Sequence, residues 1–87
     1  MKIVFSRHAE LDKFKKLAEH NFYLTKSQVI DVVKNPEHED KVSDTPKIIS
    51  SKTIDDRHVL RVVYKHEIGG IIKIITFYPA EKGRYYL

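Results

Sequence analysis

The run Ile71-Ile72-Lys73-Ile74-Ile75-Thr76-Phe77-Tyr78 constrains this chain most. Its residues are almost all β-branched or aromatic, which suits a pleated, packed strand rather than a helix. The apolar positions are nearly continuous, so the run predicts a central strand covered on both faces and ending at Pro79. Ile68-Gly69-Gly70 just before it has hairpin chemistry, because two glycines supply positive φ angles. Val59 to His66, on the other side of that turn, is the natural antiparallel partner. Strict alternation puts Arg61, Val63 and Lys65 on one face of this partner, and Leu60, Val62, Tyr64 and His66 on the other. In the last strand the same rule groups Lys73 with Ile75 and Phe77. A cation inside such a strand marks either a functional position or a lysine that snorkels past an edge to water.

The first half reads differently. Lys2 to Ser6 predicts a short strand, and Ser6 can cap the helix that follows. Leu11, Phe14, Leu17, Ala18 and Phe22 then recur at three- and four-residue spacing, forming one apolar stripe. Thr25-Lys26-Ser27-Gln28 has the spacing of a capping box, with Leu24 and Val29 placed as a hydrophobic staple. Asn35-Pro36 ends this second helix. Glu37 to Pro46 is polar and acidic with no period, and predicts a loop. Lys47 to Ile54 is strand-like, and Asp55-Asp56 has turn chemistry. The order is β-α-α-β-β-β. It predicts an α+β fold with two N-terminal helices packed on an antiparallel sheet of about four strands, in a single domain spanning 1–87.

Composition narrows the functional classes. With 87 residues the chain has material for one compact core. It has no cysteine, which excludes disulfides, thiolate metal sites and a cysteine nucleophile. No apolar stretch approaches the roughly 18–20 residues of a membrane span, and the start turns polar at Ser6-Arg7-His8. A soluble, cytoplasmic protein is the expectation, with no membrane partner. Charge is unevenly placed. Residues 1–36 carry seven Lys/Arg against four Asp/Glu, residues 37–56 three against six, and residues 57–87 six against two. The basic ends favour a phosphate-bearing partner, although a small net charge also serves solubility alone.

No cofactor motif is present. The five histidines are scattered, no HExxH occurs, and Glu37-His38-Glu39-Asp40 reads as a solvated acidic loop rather than a metal site. The candidates for chemistry are therefore basic and aromatic. His8 has an imidazole suited to proton transfer near neutrality and sits where the first strand meets the first helix. Alternatively, it fixes that corner by bonding a backbone carbonyl. Arg61 and Lys73 lie on strands. Lys82, Arg84, Tyr85 and Tyr86 form a tail able to pair phosphates and stack bases, or to close the core with one of the tyrosines.

Three segments carry a resemblance: Ser6-Arg7-His8-Ala9, Leu60-Arg61-Val62-Val63-Tyr64 and Ile74-Ile75-Thr76-Phe77-Tyr78-Pro79. Together they make the chain resemble the RelE/ParE-like toxin superfamily, most nearly its BrnT-related branch and neighbouring domain families. The resemblance implies two helices against an antiparallel sheet. It also implies metal-free cleavage of RNA, often at the ribosome, by a toxin paired with an antitoxin protein. His8, Arg61 and Tyr85 would then be catalytic, and Lys73, Lys82 and Arg84 would bind RNA. The first helix continues Glu10-Leu11-Asp12-Lys13-Phe14, without the arginine that the resemblance would place soon after His8-Ala9. A non-catalytic module of the same fold, binding RNA or a protein, is the competing class. An exposed strand edge would admit an antitoxin or a second copy.

Overall fold

The computed structural model describes residues 2–82. Strand β1, Lys2–Phe5, leads into a π-helical turn, Ala9–Lys13, which continues as helix α1, Phe14–Glu19. Helix α2 is Lys26–Lys34. Strands β2, His38–Asp40; β3, Ile48–Thr53; β4, His58–Glu67; and β5, Ile71–Glu81, follow it among the described residues. They form one five-stranded sheet in the order β1-β5-β4-β3-β2. The α+β class holds, but the expected all-antiparallel sheet of about four strands does not. β1 runs parallel to β5, and β2 adds an edge strand antiparallel to β3. The segment expected to be wholly loop thus contributes three paired residues. His38, Glu39 and Asp40 carry no apolar alternation, so pairing with β3 rather than intrinsic preference makes them a strand. Among the described residues no helix is long and apolar enough to cross a membrane.

The helices cover one sheet face. Val29, Val32 and Val33 of α2 and Ala9 and Leu17 of the first helical segment join Leu60, Val62, Tyr64, Ile72, Ile74 and Phe77 in a single core. The α2 capping box forms as its spacing predicts: Thr25 Oγ1 accepts from Gln28 N–H, and Gln28 Oε1 accepts from Thr25 N–H. Lys52 Nζ, 2.6 Å from Asp31 Oδ2, ties α2 to β3. Lys26 Nζ, 2.6 Å from Glu10 Oε1 and 5.4 Å from the Phe5 ring centroid, ties it to the π turn and β1.

Two irregularities alter the phase read from the sequence. The wider π turn brings Ala9 and Phe14, five residues apart, toward the core. Leu11, expected in the apolar stripe, is instead 60% exposed. The second irregularity is in β5. Val63 pairs with Thr76 but Tyr64 pairs with Ile74, leaving Ile75 as the extra residue of a β-bulge. Past a bulge the alternation inverts. Lys73 and Phe77, expected on one face, therefore lie on opposite faces. Phe77 is fully buried under the helices, 4.7 Å from the Phe14 ring. Lys73 pairs with Lys65 on the other side of the sheet.

Ser6 holds the bulge in place. Its hydroxyl donates to the Ile75 carbonyl at 2.8 Å and accepts from Ala9 N–H at 3.1 Å, so one side chain anchors the bulge and caps the helix. β5 also continues through Pro79 to Glu81, where the sequence suggested a stop. β1 pairs only with residues 71–74. Beyond them β5 has a single neighbour among the described residues, and proline is tolerated on a strand edge that needs no donor.

Candidate nucleic-acid interface

No described helix packs on the second sheet face. Along β4 and β5 it carries three successive cationic rungs. Lys65 stands directly opposite Lys73. Like charges in that position repel. Lys65 is eased by Glu67, whose Oε2 is 3.6 Å from its Nζ, whereas Lys73 has no ion-pair partner among the described residues. Lys2, paired with Ile71 on β1, flanks this rung.

Four residues along β4, Arg61 pairs with Tyr78. Arg61 is only 8% exposed. Its Nε–H donates to the Tyr78 hydroxyl at 3.1 Å, and its guanidinium carbon lies 5.8 Å from the ring centroid. The flanking Val59 and Val63 are buried too. Arg61 thus places its charge beneath the surface and orients a tyrosine that remains half-exposed.

Four residues further, Arg57 and Lys82 extend the register past the strand ends, where Lys82 N–H donates to the Arg57 carbonyl at 2.8 Å. At about 3.3 Å per residue, the eight residues from Arg57 to Lys65 span about 26 Å.

The third rung opens on a recess of about 440 Å³ lined by Asp56, Arg57, His58, Glu81 and Lys82. Here His58 is held from two sides. Its Nδ1 lies 3.0 and 3.1 Å from the two Asp55 carboxylate oxygens. Its ring meets Phe22 edge-on at 5.0 Å. Asp55 Oδ1 also accepts from the N–H groups of Arg57 and His58, each at 2.8 Å. The Arg57 N–H contributes most, with smaller help from His58, to holding the Asp55 carboxyl below its ordinary range against the opposing effect of desolvation. Asp55 therefore stays ionised beside the imidazole.

The residues singled out in the sequence separate in space. Arg61, Lys65 and Lys73 share the helix-free face, and Lys82 sits at its end. His8 does not join them. It is exposed on the helical segment covering the opposite face, its Nδ1 3.8 Å from Asp12 Oδ2. Arg84 and Tyr85, with Tyr86, lie outside the described residues. Among the described residues no group of three or more histidine or acidic side chains could hold a metal ion. His58 and Asp55 escaped the sequence reading, which saw only a turn at Asp55-Asp56. The available signal was the spacing. An aspartate that caps the N–H groups two and three residues on brings its carboxylate to the side chain of the third, here a histidine.

No family model, no curated protein and no solved structure matches the chain.

Proposed function

We propose that this domain binds single-stranded RNA along β4 and β5 of the helix-free face. The observation that carries the reading is the ladder of cationic rungs, Lys65–Lys73, Arg61–Tyr78 and Arg57–Lys82, repeated every four residues along one strand pair. Lysines and arginines at such intervals can follow a phosphodiester backbone, and a half-exposed tyrosine on the same face offers a ring for a base to stack on. The burial of Arg61 leaves direct contact to the flanking lysines and Tyr78.

A second reading, a metal-free endoribonuclease of a toxin–antitoxin system, is favoured by the carboxylate-held imidazole of His58, which stands at the end of β4 on the side of the sheet that meets Phe22. It also agrees with the resemblance in the sequence. Ribosomal RNA or messenger RNA on the ribosome, an antitoxin protein and a second copy of the chain are the partners this reading proposes.

Fluorescence anisotropy with a labelled single-stranded RNA, titrated at several salt concentrations, tests the binding. Neutralising two phosphates contributes about 1.4 to the log–log salt slope of a single strand. Lys65→Ala/Lys73→Ala should flatten the slope by that amount. No binding at low salt, or an unchanged slope, would refute the assignment of this face.

A further inference from the structure

We propose that residues 83–87 form a strap that folds back over the Arg61 half of the helix-free face and closes it to ligands. That the ligand kept out is RNA rests on the reading above; the strap itself does not.

The helix-free face carries a buried set of its own. Val59 has no exposed surface, Ser51 is 1% exposed, and Val63 and Arg61 are buried as well. Val59 and Val63 stand apart from the core beneath the helices. Alternation along β4 gives Val59, Arg61 and Val63 one facing. Val59 stands between Thr53 and Ala80, Arg61 between Ser51 and Tyr78, and Val63 between Ile49 and Thr76.

Neighbours in the sheet do not account for this burial. A side chain on a sheet is flanked by the adjacent strands, and its outward side is covered only by what packs on that face. Thr53 and Ala80 are too small to reach over Val59. All described strands belong to the one sheet, and the described helices cover the opposite face. Further along the same strands Lys65 and Lys73 are half-exposed. The cover therefore lies over the half from Val59 to Val63 and stops before the lysine rung.

Position, reach and composition point to residues 83–87. The burial is that of a single chain. Met1 adjoins Lys2, at the far end of the sheet beside Ile71. At the near end β5 stops at Glu81, and Lys82 N–H donates to the Arg57 carbonyl at 2.8 Å. The chain thus leaves the sheet two residues beyond the Val59–Ala80 pair. Arg61 is four residues from Arg57, about 13 Å, and five extended residues span about 16 Å. Gly83 suits a reversal of direction, and Tyr85, Tyr86 and Leu87 supply apolar surface. A tyrosine ring can lie on valine methyls while its hydroxyl reaches water. A second copy is a poorer occupant, because its cationic rungs would meet their like.

The strap and RNA would compete for the same half of the face. While it is closed, Arg61 stays beneath the surface and the track is interrupted between the Lys65–Lys73 and Arg57–Lys82 rungs. Opening it joins the three.

The test uses the full chain. In wild-type protein, NMR cross-relaxation should connect the methyls of Val59 and Val63 to ring protons of Tyr85 or Tyr86. The chain has no cysteine, so Val59→Cys carries a single thiol whose alkylation reports access to the covered half. A strap closed about nine-tenths of the time lowers access about tenfold. Adding Tyr85→Ser and Tyr86→Ser should therefore speed alkylation about tenfold. The same double variant without the cysteine keeps Arg84 and should bind labelled single-stranded RNA about tenfold more tightly than wild type. Circular dichroism checks that each variant folds; where one does not, the wild-type contacts decide alone. Valine methyls that touch only residues 2–82, or a thiol equally protected in both backgrounds, overturn the strap. Contacts present with unchanged RNA affinity overturn its closing role. If neither protein binds RNA, the RNA-binding reading falls, and the methyl contacts and thiol protection still decide the strap.

Discussion

Phe77→Ala tests the feature on which the cationic face depends, the bulge at Ile75. If the bulge inverts the alternation, Phe77 belongs to the core and Lys73 to the opposite face. Phe77 has no exposed surface and meets the Phe14 ring in a tilted contact, with centroids 4.7 Å apart. Truncating such a ring costs about 3–5 kcal/mol. A domain of 87 residues has a total stability of only about 4–13 kcal/mol, at roughly 0.05–0.15 kcal/mol per residue. The alanine variant should therefore be close to unfolding. Phe77→Leu keeps most of the apolar volume but loses the ring pair, worth about 0.5–1.5 kcal/mol beyond its area. Each kcal/mol should lower the melting temperature by about 4–8 °C in a domain of this size. Lys73→Ala, on the half-exposed face, should change stability by less than about 0.5 kcal/mol. Urea unfolding followed by far-ultraviolet circular dichroism measures all three, provided the slopes agree. If Phe77→Ala costs under about 1 kcal/mol, or Lys73→Ala costs more than Phe77→Leu, the inverted phase of β5 is wrong. The opposed Lys65–Lys73 pair would then be wrong as well.

Ser6→Ala removes the donor to the Ile75 carbonyl and the cap on Ala9 together. The expected loss is about 1–3 kcal/mol by urea unfolding, combining a lost cap with an unmet, partly buried carbonyl; a neutral outcome would show that the bulge does not depend on this hydroxyl. Asp40 accepts the N–H groups of Val42 and Ser43, each at 3.0 Å. Hydrogen bonding led by the Ser43 N–H lowers its carboxyl from 3.8 to about 2. With the folded value below the unfolded one, its contribution to stability is complete above pH 3.8 and fades as the pH falls toward 2. A carboxyl carbon titration by NMR should give a midpoint near 2, and a midpoint near 3.8 would show that the turn after β2 does not engage this side chain.

Much of the fold can be read directly from local chemistry. The capping box at Thr25, the Ser6 cap, the glycine hairpin and the alternation of β4 each depend on residues close in sequence. Arg61 and Lys65 could be placed on one face for the same reason, and Arg57 continues their four-residue spacing. Long-range pairing decided the rest. A polar three-residue strand exists because β3 offers it a partner. β1 aligns parallel to β5, a relation that joins the two ends of the described chain. The core takes a five-residue step from Ala9 to Phe14, so Leu11 turns outward.

For function, the decisive contribution of tertiary structure is the bulge and the register it sets. A single extra residue at Ile75 moves Lys73 across the sheet from Phe77 and sets it against Lys65. The sequence by itself determined which residues could carry charge and which could fill a core. Only the folded sheet decided which of them meet, because one unpaired residue reverses the facing of every side chain beyond it.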